Sequence, residues 1–142
     1  MTIGAILNGK GHDVISIEAS VPSRDAVKLL AERRIGAVPV MDGGIVAGIF
    51  SERDVVYCLE RAGPGALDKP VSELMTAPAI TVAPSEGVLG ALALMTQRRI
   101  RHLPVVEDGQ LVGFVSIGDL VKYRIDRIEA EASSLRDYIQ QV

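Results

Sequence analysis

The chain has 142 residues, 48% of them apolar and 23% charged, with a formal net charge of −3. That balance suits one well-packed domain or two small ones sharing a core, and it leaves no basic footprint for nucleic acid. The apolar runs, broken by Gly, Pro or charge, fall short of the roughly 20 residues that span a bilayer; with no leader pattern and a single Cys58, the sequence reads as a cytoplasmic protein without a disulfide framework.

Taken in chain order, Thr2 to Leu7 predicts a short lead-in helix. Val14-Ile15-Ser16-Ile17 predicts a strand ended by polar and Pro residues. An amphipathic helix follows, in which Ala26, Leu29 and Leu30 recur at helical spacing and Arg33 and Arg34 supply the cations that suit a helix C-terminus. Ala37 to Met41 and Ile45 to Phe50 are two apolar strands around Asp42-Gly43-Gly44, a hairpin turn by composition. A second helix begins at Ser51. Gly63 to Pro78 is a linker whose Pro70-Val71-Ser72-Glu73-Leu74-Met75 reads as a short helix entering the next unit.

From there the chain repeats itself. Displaced by 65 residues, Ser51 falls on Ser116, and the two halves align without a gap: Ala26 on Ala91, Leu29 on Leu94, Arg33-Arg34-Ile35 on Arg98-Arg99-Ile100, Pro39-Val40 on Pro104-Val105, Gly44 on Gly109, Gly48 on Gly113 and Asp54 on Asp119. Roughly a third of the pairs from Val14 to Val56 are identical, so the chain holds two copies of one β-α-β-β-α unit. The strand of the second copy is Ala79 to Val82, and its turn is Glu107-Asp108-Gly109. A unit of this size cannot bury its sheet alone, which predicts that the two sheets pack together. The fold class is therefore α+β, a mixed arrangement of two repeats packed sheet to sheet with pseudo-twofold symmetry, plus a long C-terminal helix. The boundaries are residues 1–62 for the first repeat with its lead-in helix, 63–78 for the linker and the lead-in helix of the second, 79–123 for the second repeat, and 124–142 for the extension.

Each repeat ends on a strand glycine, a Ser at the helix start and an Asp three residues on: Gly48-Ile49-Phe50-Ser51-Glu52-Arg53-Asp54 and Gly113-Phe114-Val115-Ser116-Ile117-Gly118-Asp119. Ser-x-x-Asp is a capping-box signature, in which the two side chains answer each other's backbone amides. The same place also offers a phosphate the free amides and positive dipole of a helix N-terminus, and a carboxylate able to accept both hydroxyls of a ribose. The residues alone leave both readings open.

The ungapped repeat, the Ile-x-x-x-Pro-Val turns and the paired Gly-x-x-Ser-x-x-Asp endings resemble a tandem pair of CBS (cystathionine beta-synthase type) domains, or Bateman module, of the stand-alone bacterial type. The resemblance covers nearly the whole chain. It implies two clefts between the repeats that take AMP, ADP, ATP, NAD(H) or S-adenosylmethionine. By position it assigns Ser51 and Asp54, with Ile49, to one cleft and Ser116 and Asp119, with Phe114, to the other. It further implies that the residues two and three places before the strand proline meet phosphates. These are Arg101 and His102 in the second copy but Gly36 and Ala37 in the first, so the second-copy cleft is expected to bind phosphate more tightly, with a phosphate helping His102 keep its proton. Ser16, Ile35 and Gly36 are expected to face the second-copy site, Thr81 and Ile100 the first, and Arg53 to replace the cation that the first copy lacks.

Other chemistry is not indicated. Gly9-Lys10-Gly11 lacks phosphate-loop spacing and reads as a turn. His12 and His102 have no partners at metal spacing, and no triad or paired-acid pattern stands out, so neither a metal nor an enzyme is expected. Leu120, Ile125, Ile128, Ala132, Leu135 and Ile139 recur along a helix from Asp119 to Ile139. It either folds back on its own module or forms a subunit contact. The leading expectation is a regulatory sensor that binds an adenine nucleotide, assembles as a homodimer and signals to an unidentified effector protein. The alternative is a structural or interaction module with empty clefts.

Overall fold

The computed structural model describes residues 1–141. Its elements are α1 (Ile3–Lys10), β1 (Ile17–Glu18), α2 (Ser23–Arg33), β2 (Ala37–Asp42), β3 (Ile45–Ser51) and α3 (Glu52–Ala62), then, after a 3-10 turn over Gly63–Asp68, α4 (Val71–Leu74), α5 (Val88–Arg98), β4 (His102–Glu107), β5 (Gln110–Ser116) and α6 (Ile117–Gln141). Among the described residues no helix is long and apolar enough to cross a membrane.

The two hairpins are built alike. Gly43 and Gly44 in one, Asp108 and Gly109 in the other, all have positive φ, the geometry of the two-residue turn whose twist matches the strands it joins. Their registers coincide as well: Ala37 pairs with Ser51 and His102 with Ser116, and the ladder slips at the same point, between Val40 and Met41 and between Val105 and Val106.

The first strand of each repeat is shorter than its apolar run predicts. In place of Val14 to Ile17, β1 is Ile17–Glu18, parallel to β2 with Ile17 opposite Val40. In place of Ala79 to Val82 there is one bridge, Val82 to Val105. Prolines explain both. A further rung toward the N-terminus would need the amide of Pro39 or Pro104, which have none. On the other side Ala19 donates to Met41 O at 2.9 Å, whereas its counterpart Pro84 cannot donate to Val106.

The core is double. Ala26, Leu30, Val38, Val40 and Phe50 form one cluster and Val88, Ala91, Met95, Leu103, Val105, Val115 and Leu120 the other. Val38 to Val40 and Leu103 to Val105 are buried without alternation, the mark of strands covered on both faces; β3 and β5 meet between the repeats. The lead-in helices are crossed. Ile3, Ile6 and Leu7 of α1 complete the second cluster, and Val71 and Leu74 of α4 complete the first. Backbone bonds fix the exchange: Ile3 N to Glu86 O at 2.9 Å on one side, Val71 N to Val21 O at 2.8 Å on the other. The expectation that each short helix serves the repeat that follows it is therefore corrected. Gly48 and Gly113 are where the crossing chains pass. A Cβ on Gly48 would lie 2.6 Å from Thr76 O, and one on Gly113 would lie 2.6 Å from the Leu7 methyls.

Candidate functional site

A cavity of about 470 Å³ opens between the repeats, on the side of the first Ser-x-x-Asp ending. Ser51 caps α3, and Asp54 answers it. The Asp54 amide donates to Ser51 Oγ at 3.4 Å, and Asp54 Oδ2 accepts from the Ser51 amide at 2.9 Å and hydroxyl at 3.1 Å. Thr76, brought in by the strand segment that pairs with Ile49, donates its hydroxyl to Asp54 Oδ1 at 2.8 Å. Cap and cavity wall are thus the same atoms, and the two readings of the motif are compatible: Oδ2 is filled by its two donors, whereas Oδ1, with one, keeps lone-pair capacity for a further donor.

Around this wall stand four guanidinium groups: Arg53 from the first turn of α3, Arg98 and Arg99 from the end of α5, and Arg101 ahead of β4. Arg99 has a φ of 56°, left-handed backbone that ends α5, and its carbonyl accepts from Arg53 Nη1 at 2.9 Å. None of the four is in an ion pair among the described residues. Ile49, Ile80, Ile100, Pro78 and Tyr57 line the rest and make it largely apolar.

The second ending is arranged differently. The Asp119 amide donates to Ser116 Oγ at 3.1 Å, and Asp119 Oδ2 accepts from the Ser116 amide at 2.8 Å. The same oxygen accepts from Lys10 Nζ at 2.6 Å, and Lys10 also donates to Phe114 O at 2.7 Å. His102 stacks on Phe114, ring centroids 5.5 Å apart, and faces Gly36, where an added Cβ would lie 3.3 Å from the imidazole. Burial of the ring and then the Lys10 ammonium press the His102 pKa below its usual value, against a smaller pull from Asp119. Burial pushes Asp119 upward, but the hydrogen bonds from Lys10 and Ser116 outweigh it and hold the carboxyl below its ordinary range.

Ser51, Arg53, Asp54, Ile49 and Ile100 line the cavity of the first ending, where they were expected. Gly36, Arg101 and His102, expected at the second-copy site, line that same cavity. The cations ahead of Pro104 thus stand at the cavity of the first ending, and Asp119 holds a cation of its own. Ser116, Asp119 and Phe114 do gather at the second ending. Ser16 and Thr81 are exposed, with Ile80 lining the cavity instead of Thr81, and Ile35 packs against the first core. Sequence reasoning missed Tyr57, Thr76, Arg98, Arg99 and Lys10. The arginine pair was visible, but only as helix-ending charge.

Two small α+β units with exchanged helices, joined by a cleft that carries a capped aspartate and arginines outside any ion pair among the described residues, define a tandem-repeat α+β module. The CBS domain pattern matches residues 10–61 and 71–126, and the chain belongs to that family. It is 39% identical over 121 residues to the mitochondrial CBS domain-containing protein CBSX3 of Arabidopsis thaliana, covering 82% of this chain and 59% of that protein, so it spans little more than half of that relative. Its fold superposes on the CBS-domain protein ATU1752 of Agrobacterium tumefaciens with a TM-score of 0.83 at 38% identity, covering 87% of this chain and 99% of that one. A further solved neighbour, CBSX2, is in complex with AMP; it has a TM-score of 0.74 at 27% identity, covering 88% of this chain and 96% of that one.

Proposed function

We propose that the chain is a regulatory module that binds an adenine nucleotide in the cleft of Ser51 and Asp54 and passes its occupancy to a partner protein. The observation that carries this reading is the convergence on one cavity of about 470 Å³ of Asp54 and four arginines that have no ion-pair partner among the described residues, a volume within the usual range for small-molecule sites. Asp54 accepts the ribose hydroxyls, the isoleucines and Pro78 hold the base, and the guanidinium forks take phosphate, a bidentate match that a lone ammonium cannot give. The AMP bound by CBSX2 supports the ligand class. The arginines favour AMP, ADP, ATP or NAD(H) over S-adenosylmethionine, whose sulfonium would add positive charge.

The module acts by differential binding, since a nucleotide shifts only a state that it binds better. In this reading it works in the cytoplasm as a homodimer, without catalysis. The competing reading, an interaction module with empty clefts, draws on the Asp54 carboxylate already satisfied by Ser51 and Thr76.

Titration calorimetry and thermal melting separate the two. A nucleotide at about 100 times its dissociation constant adds about 2.7 kcal/mol, a melting shift of roughly 5–10 °C for a chain this size. Asp54→Ala is expected to weaken binding on the order of 10- to 100-fold, the loss of one charge-assisted hydrogen bond. No heat and no shift with any of the four nucleotides at millimolar concentration would remove the nucleotide reading.

A further inference from the structure

The two aspartates are equivalent in sequence, yet each receives a different donor from the chain that crosses to it. Asp54 receives the Thr76 hydroxyl, neutral and short. Asp119 receives the Lys10 ammonium, 2.6 Å from Oδ2 and 2.7 Å from Phe114 O.

We infer that Lys10 is a built-in occupant of the second cleft, whose ammonium holds Asp119 Oδ2, competes with a ribose for that carboxylate and leaves the module with one open nucleotide site per chain. The inference rests on the proposed nucleotide reading for its ligand and on independent geometry for the blockade. Lys10 is the last residue of α1, and α1 is held firmly. Leu7 packs where Gly113 has no side chain, the Gly11 amide donates to Leu7 O at 2.7 Å, and His12 Nδ1 lies 3.3 Å from Val112 O. The ammonium is therefore delivered by a fixed helix end and not by a loose tail. Its two acceptors are a carboxylate and a backbone carbonyl, so at Asp119 a diol competes with an ion pair, where at Asp54 it competes with an uncharged hydroxyl. Lys10 and Asp119 stay 39% and 27% exposed, so the pair adds little to stability. Its consequence is occupancy.

The test is the binding stoichiometry of AMP and ATP, measured by calorimetry on the full chain, for wild type, Lys10→Met and the pair Lys10→Met with Asp54→Ala. One nucleotide per wild-type chain, two for Lys10→Met, and for the double variant two of which one is weakened on the order of 10- to 100-fold, is the expected series. Two per wild-type chain, or one per Lys10→Met chain, overturns the inference while leaving the nucleotide reading intact. A weaker second site in Lys10→Met than in wild type also overturns it, because Lys10 would then be a phosphate ligand. Binding to neither protein removes the nucleotide reading, and the blockade is then decided by NMR titration of the Asp119 carboxyl carbon. Lys10→Met is expected to move that titration to higher pH; an unchanged midpoint refutes the contact.

Discussion

Gly48 and Gly113 stand at the same place in the two repeats, each beneath a segment borrowed from the other half, but their neighbours differ in how they can yield. A Cβ on Gly48 meets the backbone carbonyl of Thr76, which accepts from the Ile49 amide at 2.9 Å while the Thr76 amide donates to Ile49 O at 2.9 Å. A Cβ on Gly113 meets the end of the Leu7 side chain, which can change rotamer. Overpacking of this kind costs about 1–3 kcal/mol, and Gly48→Ala is expected at the upper end, with Gly113→Ala below it. Urea unfolding of both variants checks the order, and an equal or reversed loss would contradict the geometry. The alignment of these glycines was legible in the sequence. Their purpose was not, because hydrophobic periodicity reports which face of a strand is apolar and is silent on which distant segment crosses it. Asp54 and Ser51 were likewise legible as a pair, whereas Thr76 and Lys10 were not, since each reaches its aspartate only through the crossing.

Among the elements, α6 departs furthest from the rest of the repeat. Leu120 is fully buried and Tyr123 packs on the second core, after which the helix leaves the fold; from Ile125 onward every described residue is exposed. At 25 residues it is about 37 Å long, and Ile125, Ile128, Leu135 and Ile139 lie bare along it. Of the two expectations for this helix, folding back on its own module does not hold. The apolar stripe supports the proposed self-association, because exposed surface of that kind marks interfaces. Light scattering at micromolar concentration is expected to give twice the chain mass, and Ile128→Glu with Leu135→Glu to return it to one; a wild-type monomer refutes the proposal. The helix itself was legible because its period is strong over many turns. The first strands were misjudged for the opposite reason: apolar composition placed them, but their length was set by Pro39, Pro84 and Pro104, whose effect appears only once the register is known.

For the whole molecule, the gapless repeat made the architecture readable, and the crossed helices decide how it holds together. Neither core is complete in its own half, since α1 belongs by packing to the second repeat and α4 to the first. Covalent continuity therefore stands in for association: the linker keeps each helix at the high effective concentration of an intramolecular partner. A fragment of residues 66–123, freed of the apolar part of α6, retains α4 but has lost both the core that α4 fills and the α1 that fills its own. Two such fragments can meet the need by trading α4 helices, a reciprocal swap of the kind that makes obligate pairs. The fragment is expected to be dimeric by light scattering and to melt at a temperature that rises with concentration, while residues 1–123 melt independently of it. A folded monomeric fragment would show that the exchange is dispensable. In this sense the chain is the two members of one intertwined pair joined end to end, and its length is what frees it from dilution.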